Sequence, residues 1–344
     1  MSFSDFFKGK IVLVTGHTGF KGAWLSIWLN EMGAKVIGYS LEPPYANSLF
    51  ENAKLKDKLI DIRSDIRDLK KLETIFKKYK PEIIFHLAAQ PIVRVSYDIP
   101  RDTFEINIMG TINVLECLRK YPYKSAVIIT SDKCYENMEN MEGYVETDRF
   151  SNKDPYSSSK GCAELVVESY RNYFRMEVAT ARAGNVVGGG DWAKDRLVPD
   201  IMRALKLKKD IVVRNPESVR PWQFVLESLH GYLILAQKQY AGEDVNEGWN
   251  FGPDRNSMIT VKELVELITK KWGYGDVVIK RDTSKPEAGL LYLNCAKSKA
   301  RLGWKPKIDI RETIKYIVEW YRNYENEDVY GLCAKQIREY EDLK

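Results

Sequence analysis

Apolar residues along the first half of the chain follow two alternating patterns. Short runs rich in valine and isoleucine, such as Ile11-Val12-Leu13-Val14 and Ile83-Ile84-Phe85, stand between longer segments of helical period. Continuous apolar runs suit strands buried on both faces, and a 3.6-residue period suits the helices that cover them. The pattern predicts strands at Ile11–Thr15, Lys35–Tyr39, Leu59–Arg63, Ile83–Leu87, Ala126–Thr130 and Val178–Ala181. Helices are predicted between them at Lys21–Met32, Leu69–Lys80, Asp102–Lys120 and Tyr156–Phe174. That alternation, with right-handed crossovers, is an α/β fold of the Rossmann type, a doubly wound parallel sheet.

Past about Ala183 the regularity breaks into loops marked by glycine and proline, with helices expected at Leu197–Leu205, Leu226–Gln237, Val261–Trp272 and Ile310–Tyr324. The division that follows is 1–183 for a nucleotide-binding domain and 184–344 for a smaller lobe, with some segments returning to the sheet. The mixed-charge end from Asn323 to Lys344 reads as a solvated helix.

Composition narrows the class. Hydrophobic residues at 44% and charged residues at 29% are ordinary globular usage. The net charge of +5 comes from 53 basic and 48 acidic residues without a basic stripe, which argues against nucleic acid as a partner. Five widely spaced cysteines with no CxxC pair argue against disulfides and a metal site, and point to the cytoplasm. Met1 to Lys10 lacks the apolar core of a signal peptide, and no apolar stretch is long enough to span a membrane.

The chemistry sits at the ends of the predicted strands. Gly16-His17-Thr18-Gly19-Phe20-Lys21-Gly22 follows the first strand and opens the first helix, where glycines let the backbone approach a pyrophosphate. Gly16, Gly19 and Gly22 are three residues apart, which is the short-chain reductase spacing. Ser40 stands where an acid would hold the adenosine ribose, and no arginine follows it directly to receive a 2′-phosphate, so the expected cofactor is NAD. Tyr156 and Lys160 lie one turn apart on a helix, where the ammonium is expected to lower the phenol's pKa toward that of a general base. Ser131, after the fifth strand, completes a Ser-Tyr-Lys set.

With these residues assembled, the chain resembles the extended short-chain dehydrogenase/reductases that act on nucleotide sugars, the NAD-dependent epimerases and dehydratases. The specific segments are Thr15 to Gly22, Ser131-Asp132-Lys133-Cys134-Tyr135-Glu136-Asn137, Asp154-Pro155-Tyr156-Ser157 with Lys160-Gly161-Cys162-Ala163-Glu164, Ala181 to Val186 with Gly188 to Trp192, and Arg220-Pro221-Trp222-Gln223. The resemblance implies catalysis by Ser131, Asp132, Lys133, Tyr156 and Lys160. It implies cofactor contacts from Gly16, His17, Thr18, Gly19, Phe20, Gly22, Ser40, Asp65, Ile66, Leu87, Ala88 and Ala89, besides Tyr156 and Lys160. An Asp at position 65 could equally cap a helix. Substrate contacts are implied for Asn185, the segment Asp195-Arg196-Leu197, Arg214 and Arg220, the last toward a diphosphate or, failing that, a surface ion pair.

Most dehydratases of this family carry Asp-Glu where this chain has Asp132-Lys133, and the Asp-Lys type implies CDP-glucose as substrate. The implied activity is 4,6-dehydration by a lyase, with Asp132 as acid at C6 and Lys133 as base at C5 or as electrostatic support. A nucleotide-sugar 4-epimerase and a silent NAD-binding scaffold are the alternatives. A homodimer or homotetramer is implied by analogy. Phe224 replaces an expected His, Ser228 an expected Pro, and Asn152-Lys153 the usual small residues.

Overall fold

The computed structural model describes residues 3–151, 153–280 and 290–343, so Asn152 lies outside the described residues. Seven parallel strands form the central sheet. In chain order they are β1 (Ile11–Thr15), β2 (Lys35–Ser40), β3 (Ile60–Arg63), β4 (Ile83–His86), β5 (Ser125–Ile129), β6 (Ala179–Ala183) and, much later, β10 (Gly248–Phe251). Their spatial order is β10-β6-β5-β4-β1-β2-β3, which reverses direction at the β1/β4 seam. Each pairing is parallel, with Val12 opposite Val36 on one side and Ile83 on the other.

Side chains of the central strands alternate between two apolar layers. Val12, Val14, Phe85 and Val127 pack on the side of Trp24 and Trp28 from helix Phe20–Glu31. Leu13, Ile84 and Ile128 pack on the other side with Val114, Leu115 and Val167. Those last three come from two long helices. One is the continuous segment 100–120, in which Glu105–Met109 is a π-helical turn, and the other is Pro155–Phe174.

The predicted elements appear with ends displaced by a few residues. β10 had no separate sequence signal, and it returns the chain to the sheet beside β6, with Trp249 opposite Ala181. Smaller sheets hold the rest. β7 (Asn185–Val187) pairs in parallel with β9 (Val219–Phe224), and β11 (Met258–Thr260) pairs antiparallel with β9. β8 (Ile211–Val213) and β12 (Val277–Ile279) form a parallel pair.

The C-terminal end corrects the expectation of a solvated helix. Helix Val329–Asp342 buries Leu332, Cys333, Ile337 and Tyr340 against the body of the protein. Its apolar positions recur at helical spacing, and the flanking charges hid that stripe. Trp28 donates its indole N–H to Glu341 at 2.7 Å, so this helix also packs on the first one. Of the residues that depart from the family pattern, Phe224 is buried and stacked on Tyr316, and Ser228 donates to the Val225 carbonyl inside helix Val225–Tyr240. Among the described residues no helix is long and apolar enough to cross a membrane.

Candidate active site

A cleft of about 1910 Å³ opens at the carboxyl ends of β1, β4 and β5, where open parallel sheets bind their ligands. Every site residue named from the sequence lines it except His17. Gly16 has a φ of +76°, and a Cβ there would stand 2.7 Å from the Ala88 nitrogen. A Cβ on Gly22 would lie 2.1 Å from the Gly16 carbonyl oxygen, so the loop can turn onto the helix only with glycine at both positions. Gly19 starts helix Phe20–Glu31, and no side chain caps that end. The uncapped N-terminus faces the cleft with backbone donors that suit a phosphate.

His17 lies beneath this loop. It is fully buried, its ring fills the space beside Gly38, and Nε2 is 2.8 Å from Asp61. Burial pushes its pKa down to about 4 against the pull of Asp61, so the imidazole is neutral and props the loop from behind. Ser40 meets the Thr18 hydroxyl at 2.8 Å, a hydroxyl pair where other dinucleotide sites carry an acid. Asp65 accepts Arg67 at 2.7 Å, which holds its carboxyl below the usual range.

The Asp154-Pro155 step sets Tyr156 in place. Asp154 caps helix Pro155–Phe174 by accepting the Ser157 N–H at 2.9 Å, and Pro155 occupies the first helical turn. Tyr156 therefore sits at the mouth of the helix, one turn before Lys160. Ser131 donates to Asp132 at 2.9 Å and accepts the Lys133 backbone N–H at 3.2 Å. Asp132 is buried, and burial raises its pKa against the pull of Lys133 and Ser131, which suits a group that must carry a proton. Gly184, just before β7, makes this possible, since a Cβ there would come within 2.8 Å of the Asp132 carboxylate. Lys133 is half-buried on the cleft wall.

The expected lowering of the Tyr156 pKa by Lys160 does not occur in this form. Burial raises the phenol to about 12, opposed by a hydrogen bond with Ser131 and the charge of Arg196. Lys160 donates to the Ile129 carbonyl at 3.3 Å, and burial lowers its own pKa to about 8. Desolvation is the largest cause at both groups, and neither shift draws on the other. Sequence reasoning also passed over Lys21, which lines the cleft and donates to Tyr232 at 3.3 Å. Burial, Arg196 and Lys160 lower its pKa to about 7. A lysine between Gly19 and Gly22, in the first turn of the helix that faces the cleft, was the available signal.

Across the cleft, Asn185 on β7 pairs with Trp222 on β9, the strand that carries Arg220. Arg196 lies 3.0 Å from Asp191, immediately before helix Leu197–Lys206. Arg214 follows β8 and reaches Asp195 at 3.3 Å. Trp192 and Trp222 also line the cleft, and their indole N–H groups are buried without a hydrogen-bond partner.

A family model described as GDP-mannose 4,6 dehydratase matches residues 13–317. The chain is 46% identical over 344 aligned positions to CDP-glucose 4,6-dehydratase of Salmonella typhimurium, covering 96% of each. Among solved structures it is similar to UDP-glucose 4-epimerase of Thermotoga maritima with UDP-glucose, with a TM-score of 0.79 and 26% identity over 92% of this chain and 100% of that one. It shares the fold of dTDP-glucose 4,6-dehydratase of Bacillus anthracis in complex with NAD, with a TM-score of 0.80 and 23% identity over 93% and 98% of the two chains.

Proposed function

Because this chain belongs to the GDP-mannose 4,6 dehydratase family, we propose that it is a nucleotide-sugar 4,6-dehydratase, a lyase that converts CDP-glucose to CDP-4-keto-6-deoxyglucose with NAD. The observation that carries this reading is the Asp132-Lys133 pair set beside Ser131, Tyr156 and Lys160 in one cleft. An epimerase uses the last three and has no need of an acid-base pair at Asp132 and Lys133. The 46% identity to a CDP-glucose 4,6-dehydratase supports the choice of base and sugar.

The cradle fits the cofactor. Gly16 and Gly22 clear the backbone of side chains, and Thr18, Gly19, Phe20, Ser40, Ile66, Leu87, Ala88 and Ala89 line the adjoining wall. NAD held there would supply a hydride acceptor toward C4 and a hydride donor toward C6, and its positive charge would favour the Tyr156 phenolate. Tyr156 then takes the C4 hydroxyl proton, with the Ser131 hydroxyl turning from Asp132 to donate to the phenolate oxygen. A 4-ketone acidifies the C5 proton. Lys133 receives that proton, Asp132 gives its own to the departing C6 hydroxyl, and a proton returned to C5 as C6 is reduced completes the 4-keto-6-deoxy product.

Asn185, Arg196, Leu197, Arg214 and Arg220 are assigned to the sugar nucleotide. Residues 1–183 hold the cofactor, and 184–344 mainly the substrate. We also infer a homodimer through segment 100–120 and helix Pro155–Phe174, whose outer faces expose Met109, Leu165 and Tyr173. Five free cysteines support a cytoplasmic location.

Incubation with CDP-, dTDP- and UDP-glucose and GDP-mannose, followed by NMR of the products, tests the reading. A 4-keto-6-deoxy product from CDP-glucose is expected. A 4-epimer, or no turnover of any of the four, would overturn it.

A further inference from the structure

The cleft carries one arginine, Arg94, that neither the motifs nor the assigned roles use. Asp195 lies in the loop before helix Leu197–Lys206, with its carboxylate between two guanidinium groups that reach it from different parts of the fold. Arg94, on the short helix Val93–Asp98 that follows the β4 turn, is 3.7 Å away. Arg214, after β8, is 3.3 Å away. All three side chains line the cleft. One carboxylate thus spans the opening between the cofactor side and the substrate side.

This contact differs from its neighbours. Asp191 holds Arg196 at 3.0 Å, and Asp200 holds Arg203, which also donates to the Trp192 carbonyl at 2.8 Å. The Asp191–Arg196 pair is at hydrogen-bond distance, and Arg203 has a second anchor in the Trp192 carbonyl. The Asp195 contacts are longer, and the three side chains are between a quarter and two-fifths exposed, with relative accessibilities of 25%, 38% and 41%. Asp195 also has a φ of +61°, a left-handed conformation that a non-glycine residue adopts at a cost. A loosely held carboxylate on a strained residue, between two arginine forks, is easily exchanged. A diphosphate brings more charge than one carboxylate, and its oxygens match each fork.

We propose that Arg94 is a diphosphate-binding residue of the substrate site, and that Asp195 occupies the phosphate position between Arg94 and Arg214 until the substrate replaces it. The proposal rests on the nucleotide-sugar reading above. It makes the cofactor side of the cleft a direct contributor to substrate binding. It also makes release of Asp195 a step in loading the enzyme.

Calorimetric titration of the full chain with CDP, UDP, dTDP and GDP, and with CMP as a monophosphate control, tests it without turnover. Arg94→Gln is expected to weaken binding of the preferred diphosphate tenfold or more and of CMP much less. Arg94→Lys, which keeps the charge without the fork, should fall between. Asp195→Asn should tighten diphosphate binding severalfold at low salt, because the competitor is gone. Melting curves identify a variant that fails to fold, and Arg94→Lys then carries the comparison. Unchanged diphosphate affinity in a folded Arg94 variant, or weaker binding in Asp195→Asn, would overturn the proposal. Wild type that prefers a diphosphate other than CDP contradicts the functional reading's choice of base and leaves the Arg94 comparison to be read on that ligand. Wild type that binds none of the four overturns both.

Discussion

Glu164 and Arg182 form a buried ion pair at 2.8 Å directly under the reacting groups. Glu164 lies one turn beyond Lys160 and also accepts the hydroxyls of Thr130, next to Ser131, and of Thr180 at 2.7 Å. Arg182 donates in turn to Tyr135 and to the Glu146 carbonyl at 3.1 Å. One pair therefore ties helix Pro155–Phe174 to the Ser131-Asp132-Lys133 turn and to β6. Removing one partner of such a pair strands a buried charge. Glu164→Ala is expected to cost about 3–5 kcal/mol in urea unfolding, and Glu164→Gln less. Equal stability of Glu164→Ala and wild type would deny the pair this role.

Tyr156 and Asp132 are assigned to different steps, so their variants should fail differently. Tyr156→Phe is expected to lose cofactor reduction on addition of CDP-glucose. Asp132→Asn should still reduce the cofactor yet form product about 10²–10⁴-fold more slowly. Because burial holds the Asp132 carboxyl up, product formation should fall as pH rises through its raised pKa, while cofactor reduction does not follow that limb. Equal loss of cofactor reduction in both variants would remove Asp132 from the acid role.

Lys133 stands half-buried on the cleft wall beside Asp132. As the C5 base, it should be required for exchange of that proton with solvent. With a 4-keto substrate analogue, Lys133→Met is expected to abolish deuterium uptake at C5, as followed by NMR. Undiminished uptake would confine Lys133 to electrostatic support.

Far from the cleft, Glu227 is buried among Tyr340, which donates to it at 2.8 Å, and the backbone N–H groups of Lys307 and Ile308. Lys307 and Tyr340 are the titratable groups that act on it, and His230 lies behind the Tyr340 hydroxyl. Burial raises its carboxyl to about 7. A raised acid stabilises the fold fully below its unfolded pKa of about 4.3, and this contribution is lost as pH rises to about 7. The loss is on the order of 3 kcal/mol. Glu227→Gln stays neutral throughout, so its stability relative to wild type should increase across that window and then level. A constant difference from pH 4 to pH 8 would contradict this.

The parts of the molecule that the sequence made legible are those fixed by local pattern. The β-branched runs before Gly16 and Ser131 placed both turns at strand ends, and Asp154-Pro155 announced the helix that presents Tyr156. What was hidden depends on distant residues. His17 is identical in the sequence whether it faces a ligand or Asp61, and only the gap beside Gly38 shows which. β10 is four residues long and joins the sheet only because β6 offers an open edge. The raised Tyr156 pKa reflects burial, which spacing on a helix does not report.

The central claim is that one cleft oxidises C4 and reduces C6 of the same sugar. CDP-glucose carrying deuterium at C4 tests it when mixed with substrate labelled with carbon-13 and bearing protium at C4. The account predicts that each product molecule keeps its own label, with deuterium found at C6 only where it began at C4. Deuterium appearing at C6 of the carbon-13 molecules, or lost to water, would contradict it.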